Sequence, residues 1–247
     1  MSGRVGSITT DIIADGLILN IDPVNRASTI PSINTLKTFN TLNTSISGSI
    51  VTDATWTNST ITPSFVFDGT DGYINFGDND LYSFGNGSSD SPFSTNSWIN
   101  MTDATDFLVF VKDADSGKEW TQRFYLDKFR AYLVDHSAGG YIGRFANALN
   151  AASYQNQWIN FSMTYNGNST SAGMKLYLNG TRIDDSNYEA GSYTAMENTG
   201  TSLRLGAQER DSNESYGYIA ICQIYNRALS ANEVLHNYNS LKGRFGL

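Results

Sequence analysis

The stretch that reads as an amphipathic helix lies at the very end of this 247-residue chain, directly behind an apolar strand. Residues Gly217-Tyr-Ile-Ala-Ile-Cys-Gln-Ile-Tyr-Asn-Arg-Ala-Leu-Ser230 carry that strand and the helix start. Ser230 precedes Glu233 by three residues, the spacing at which hydroxyl and carboxylate cap each other's backbone N–H groups. Val234, Leu235, Tyr238 and Leu241 follow at helical spacing, and Gly243 is placed to end the helix. Most of the rest consists of short apolar or alternating runs broken by Gly, Asn, Asp and Ser. A chain whose helix comes last, after so many strands, must bury its apolar surface between sheets.

The runs can be placed one by one. Gly16 to Asp22 reads as a buried strand behind a polar start, whereas Ala27 to Asn58 suits loops and short edge strands crossing a sandwich. Ser64–Gly69 and Gly72–Phe76 flank an Asp-Gly/Asp-Gly turn, which predicts a hairpin. Tyr82 to Thr95 reads as a Gly/Ser/Asp loop running into the strand Phe93–Met101, with Trp98 as its large core residue; Phe107–Lys112 follows. Glu119–Leu126 and Phe129–Asp135 predict a hairpin around Asp127-Lys128, with Phe124 and Leu126 on one face and Arg123 and Tyr125 on the other. Trp158–Tyr165 is a further strand. Met174–Ile183 carries Asn179-Gly180 where a two-residue type I′ turn needs it. Such spacing means a sandwich or barrel. The length suits one domain: an N-terminal arm over 1–15, then a sandwich over 16–247.

Charge excludes several partners. With 16 basic residues against 24 acidic ones and a net charge of -8, the chain lacks the cations that neutralise nucleic-acid phosphates. The same balance opposes docking on anionic lipid. Charged residues are 16% of the chain, below the usual quarter, so Asn, Ser, Thr and Gly supply its polarity. The single cysteine, Cys222, cannot form an intrachain disulfide and is expected in the core. His136 and His236 form no catalytic constellation with it. No segment has the length of a signal-peptide core or of a bilayer span. Glycosylation-type triplets at Asn58 and Asn160 are expected by chance in so Asn/Ser/Thr-rich a chain, and Asn160 falls inside a strand.

Several segments in order resemble the laminin G-like group of the concanavalin A-like lectin/glucanase superfamily. They are Phe65-Val-Phe-Asp-Gly-Thr-Asp-Gly-Tyr-Ile74, Phe93 to Trp98, Trp158 to Tyr165, Leu176-Tyr-Leu-Asn-Gly180 and the closing strand and helix. The resemblance implies an all-β fold: a jelly-roll sandwich of two antiparallel sheets with a short C-terminal helix. Gly16-Leu-Ile-Leu-Asn-Ile-Asp22 and Leu241-Lys-Gly-Arg-Phe-Gly246 are similar to a subgroup common in tailed-phage structural proteins. That similarity implies a virion surface, tail, fibre or decoration component, assembled in a host cytoplasm without a signal peptide. In one respect the chain departs from its relatives: Ala220 and Ile221 stand where many carry an acidic pair. The strand is thereby apolar on both faces, which points to full burial or an oligomer contact.

Three kinds of chemistry are then weighed. Glu209-Arg-Asp-Ser-Asn-Glu214 matches the literal Glu-x-Asp-x-x-Glu of superfamily glucanases, whose paired carboxylates must sit on one strand face. Here that arrangement would turn Arg210 inward, and Asn213 and Ser215 favour a turn, so a solvated loop is the better reading. A calcium ion would need six to eight oxygens. Asp68 with Asp71, Asp78 with Asp80, and Asp184 with Asp185 are the candidate ligands, each with a plainer role in a turn. A sugar would need exposed aromatic platforms, for which Trp120, Tyr125, Tyr132 and Tyr177 are the candidates. The expected function is a non-enzymatic virion protein that recognises a host-surface glycan or decorates the particle, with other virion proteins or itself as partner. The alternatives are an assembly module without ligand and a glycan-cleaving hydrolase.

Overall fold

The computed structural model describes residues 12–23, 35–38, 46–51, 54–57, 62–209 and 214–247. The strands run in chain order as β1 (Leu17–Ile21), β2 (Thr35–Thr38), β3 (Ile46–Val51), β4 (Thr55–Thr57), β5 (Ser64–Asp68) and β6 (Tyr73–Asn75). Next come β7 (Phe93–Met101), β8 (Asp106–Ala114), β9 (Gly117–Tyr125), β10 (Lys128–Asp135), β11 (Gly140–Ala146) and β12 (Ile159–Tyr165). The last are β13 (Met174–Leu178), β14 (Thr181–Arg182), β15 (Ser186–Ala190), β16 (Arg204–Leu205) and β17 (Tyr216–Tyr225), followed by helix α1 (Ala231–Leu241).

Among the described residues these strands form two antiparallel sheets. One is ordered β14-β13-β12-β7-β17-β5-β4, with β1 also pairing β17; the other is ordered β15-β11-β10-β9-β8-β16-β6-β3-β2. The expected two-sheet sandwich with a short C-terminal helix is what the chain forms. The inward residues of both sheets share one core, in which Trp120 lies 5.2 Å from the Phe93 ring and 6.0 Å from Phe84, centroid to centroid. Among the described residues no helix is long and apolar enough to cross a membrane.

The Asn179-Gly180 turn is as expected, with both residues at positive φ (51° and 76°) and Leu178 paired with Thr181. Three local expectations change. The turn after Asp68 does not close a hairpin: β5 pairs with β17 and β4, while β6 pairs with β3 and β16 in the other sheet. Phe65, Phe67 and Ile74 thus reach one core from opposite sheets. The β9–β10 turn is Leu126-Asp127, both at positive φ, with Tyr125 paired to Lys128. The register sits one residue earlier than the Asp127-Lys128 reading, so Leu126 is an exposed turn residue rather than a partner of Phe124. Finally, α1 runs past Gly243 through a 3₁₀ turn over Lys242–Phe245 and stops at Gly246, the residue in the left-handed region (φ 75°). Of the Ala27–Asn58 segment, β2, β3 and β4 are described; the arm up to residue 11 lies outside the described residues.

The helix explains why β17 is apolar on both faces. Ile219, Cys222 and Ile224 face the core, while Ala220 and Ile221 pack with Trp98, Leu241 and Phe245. Tyr225 packs with Tyr177, Leu229 and Val234. A register shift between Ile219 and Ile221, against β7, puts both Ala220 and Ile221 among the helix contacts. Carboxylates at these two positions would be buried under the helix, at high cost without a partner. Trp98 is buried as expected, but beneath the helix rather than between the sheets. Beneath the helix face a row of amides crosses four strands. Asn160 donates to Asn96 (2.8 Å), Asn96 to Gln223 (2.7 Å) and Gln223 to Asn20 (3.1 Å). From the helix, Asn237 accepts the Ile13 N–H (2.8 Å) and donates to the Tyr225 hydroxyl (3.1 Å). Asn160 is fully buried in that row, so it offers no surface for a glycan.

Candidate functional site

The β9–β10–β11–β15 end of the second sheet turns one face inward through Phe124, Phe129, Ala131, Leu133, Ile142 and Ala146. Strand alternation therefore sends Arg123, Tyr125, Arg130, Tyr132, Tyr141 and Phe145 to the outer face. Tyr188 joins them from β15, paired with Gly143. These seven side chains line a cavity of about 230 Å³. At Gly143 a Cβ would fall 2.5 Å from the Ala131 carbonyl oxygen and 2.9 Å from the Tyr132 Cβ. Only glycine fits at this position, tight against β10 beside Tyr132.

The cavity is aromatic and cationic. Tyr188 stacks on Phe145 (centroids 5.2 Å apart) and lies 6.2 Å from Tyr141, which in turn lies 6.1 Å from Tyr132. The Arg130 guanidinium carbon sits 4.5 Å from the Phe145 centroid and 4.8 Å from that of Tyr125. Arg123 reaches the same Tyr125 ring at 4.7 Å. All three distances lie within cation–π range. Arg123 is also ion-paired with Asp106. Burial alone would lower the Arg123 pKa, but the Asp106 carboxylate raises it instead. Arg130 is pulled the other way: burial and the neighbouring Arg123 charge lower its pKa, although an arginine stays protonated regardless. At the far end the Tyr132 hydroxyl donates to Asp113 (3.3 Å), and burial raises its pKa.

Of the four aromatic candidates, the structure brings Tyr125 and Tyr132 together here. Tyr125 is 37% exposed and Tyr132 half-buried. Trp120 and Tyr177 are corrected. Trp120 is fully buried and its indole N–H donates to the Tyr82 carbonyl (2.8 Å). Tyr177 is 2% exposed, beneath the helix with Tyr225 and Val234. Neither can act as a platform. Arg123, Arg130, Tyr141, Phe145 and Tyr188 were missed as site residues. The signal was the alternation already placing Arg123 with Tyr125, extended across the hairpin to Arg130 and Tyr132.

The acidic candidates serve other ends. Asp68 accepts the Thr70 N–H (3.0 Å) and hydroxyl (2.6 Å), closing its own turn, and these bonds lower its pKa. Asp71 is exposed beside it, and both raise the pKa of Glu214, which burial raises first. Asp78 pairs with the buried Lys112 (3.2 Å), itself bonded to Glu119 (2.8 Å) and to the Thr201 carbonyl (2.7 Å). Asp80 accepts from Asn198 (2.9 Å). Asp184 takes Arg144, Arg182 and the Leu176 N–H, while Asp185 takes the Asn147 and Ala148 N–H groups. Among the described residues no three His, Cys, Asp or Glu side chains are grouped to hold a metal. Ala207 pairs antiparallel with Glu214, which sets Glu214 across from the Ala207 strand instead of along one strand with Glu209, and Glu209 faces Arg204 at 3.3 Å. Residues 210–213 of that string lie outside the described residues. Cys222 is buried in the core, as expected, and burial raises its pKa.

Two antiparallel sheets packed face to face, closed by one short helix, define a lectin-type sandwich. The chain belongs to the concanavalin A-like lectin/glucanases superfamily, matching its laminin G family model over residues 68–235. Solved structures agree on the fold. The chain is similar to the binding domain of botulinum neurotoxin serotype D (16% identity, TM-score 0.61), covering 92% of this chain and 52% of that one. It is also similar to the binding domain of Paraclostridial Mosquitocidal Protein 1 (15%, TM-score 0.63, 91% and 52%) and to the botulinum neurotoxin type G receptor binding domain (12%, TM-score 0.60, 91% and 51%). The chain thus spans about half the length of each. No curated protein matches it.

Proposed function

We propose that this domain is a non-catalytic carbohydrate-recognition module that holds one sugar unit in the outer-face cavity of β9, β10, β11 and β15. The observation carrying this reading is the cavity itself, lined by four tyrosines, a phenylalanine and two arginines. Aromatic faces stack on the C–H faces of a sugar ring, while tyrosine hydroxyls and guanidinium N–H groups supply the directional bonds. At about 230 Å³ the cavity is smaller than the ~300–1,000 Å³ of drug-sized sites, which suits a single ring. The names of the similar binding domains support a recognition role. A virion setting rests on the likeness of Gly16–Asp22 and Leu241–Gly246 to tailed-phage structural proteins.

The test is a glycan array with the whole chain, repeated with Tyr188→Ala. Binding by the parent and its loss in the variant, at unchanged melting temperature, supports the reading. Equal binding by both places recognition elsewhere and overturns it. Detection of the chain in purified phage particles by mass spectrometry tests the setting separately.

The assembly reading has one observation in its favour. Tyr216 (50% exposed) and Tyr218 (36%) are exposed on β17, and the Tyr218 ring lies 6.5 Å from Trp158, which packs in turn on Phe245 of the helix tail. A second copy or a particle protein could cover them. Analytical ultracentrifugation of Tyr216→Ser/Tyr218→Ser against the parent separates this from recognition.

A further inference from the structure

We propose that the ligand of this cavity is an acidic sugar, whose carboxylate or sulfate ester is received by Arg130. The inference rests on the carbohydrate reading above and narrows it. Its basis is an imbalance of partners. Arg123 has Asp106, whereas among the described residues Arg130 has no carboxylate partner. The Nε of each arginine is buried without an acceptor, so the difference between the two lies in the carboxylate that only Arg123 holds. An anion in the cavity would give the Arg130 guanidinium the charge-assisted bonds that Asp106 gives Arg123.

The geometry is ready for that anion. Tyr125 and Phe145 hold the Arg130 guanidinium from two sides, so its N–H fork is fixed before a ligand arrives and loses little freedom on binding. Arg130 stands directly opposite Arg123 in the β9–β10 register. Asp106 is taken by Arg123 and Asp113 receives the Tyr132 hydroxyl at the far end, so among the described residues Arg130 is the cation of this cavity with no carboxylate against it. The chain as a whole is net -8 and repels anions at long range. Attraction to an acidic sugar must therefore come from contact with this cavity, not from a general basic field. A second anion would satisfy Arg130 without displacing Asp106.

The experiment is titration calorimetry of the whole chain with four probes. These are a uronic-acid-terminated oligosaccharide, its methyl ester, sulfated lactose and lactose. One charge-assisted bond more or less corresponds to about a tenfold to hundredfold change in affinity. The expected result is at least tenfold tighter binding of one or both anionic probes than of their neutral counterparts. Which pair shows the gap identifies carboxylate or sulfate as the source. Arg130→Met should abolish the gap and leave the weaker neutral binding. The ester comparison uses the unaltered chain, so it stands even if that variant is unstable. Neutral and anionic probes bound equally, with binding still lost in Tyr188→Ala, overturn the acidic-sugar inference alone. No binding of any glycan overturns it together with the carbohydrate reading.

Discussion

The Phe245 ring lies flat on the indole of Trp98, with centroids 4.0 Å apart and planes within 6°. Tyr238 stacks on the same indole at 5.7 Å. The 3₁₀ tail of the helix is thus fastened to the outer face of the first sheet through one tryptophan. Phe245→Ala removes the inner partner and opens a cavity over Ala220 and Ile221. A loss of about 3 kcal/mol is expected, which for a chain of this size lowers the melting temperature by about 6–12 °C. Calorimetry measures it directly. A loss below about 1 kcal/mol would mean that the tail does not close the fold.

The helix start should make stability depend on acid. Glu233 takes two bonds from Arg227 and closes the capping box with Ser230. The Arg227 bonds lower its pKa from 4.5 to about 2, against a smaller opposing effect of burial. A carboxylate whose folded pKa is depressed contributes stability that is fully present above its unfolded value. That contribution is lost as pH falls from about 4.5 through about 2. Glu233→Gln should therefore cost stability at pH 6 and lose less than the parent between pH 4.5 and 2. Parallel melting curves across that range would rule the linkage out.

Trp120 and Tyr125 should separate folding from recognition. Trp120→Phe leaves the Tyr82 carbonyl without its donor, so a loss of about 1–3 kcal/mol is expected with glycan binding unchanged. Tyr125→Ala removes a partly exposed ring and should leave the core intact while reducing binding. Chemical denaturation and the glycan titration, run on both variants, give the four numbers needed. Binding lost in Trp120→Phe but kept in Tyr125→Ala would reverse the assignment.

The fold was legible because its signals are local. Asn179-Gly180 closes a turn that needs positive φ at both positions, and Ser230 with Glu233 caps the helix that follows β17. The hairpin expected at Asp68–Gly72 failed because a turn signal says where the chain reverses, not which sheet receives it. Long-range pairing of β5 with β17 and of β6 with β3 and β16 decided that. The site was half legible for the same reason. Alternation put Tyr125 and Arg123 on one face, but Tyr188 joins them only because β15 pairs with β11. Trp120 and Tyr177 have the composition of a sugar platform. Their burial depends on what packs above them, on the loop bearing Tyr82 and on the helix, which strand periodicity does not reveal.

Calcium removal should leave the sandwich unchanged, and Asp184 shows why. Its carboxylate is buried and receives the Leu176 N–H (2.9 Å), the Arg182 side chain (2.9 Å) and Arg144. Burial alone would raise its pKa; these donors lower it, so it is ionised and satisfied by cations that belong to the chain. Asp185 is likewise bonded to two backbone N–H groups and to Ser186. A metal would have to displace two guanidiniums to reach Asp184 and compete with two backbone N–H groups and a hydroxyl to reach Asp185. The melting temperature in excess chelator should match that in millimolar calcium within about 1 °C, since stabilisation by a ligand grows with the logarithm of its concentration over its Kd. Asp184→Asn should instead destabilise the fold by about 3 kcal/mol, because it leaves the largely buried Arg144 with an uncompensated charge. A calcium-dependent rise of several degrees, abolished by Asp184→Asn or by Asp68→Asn, would restore the metal site.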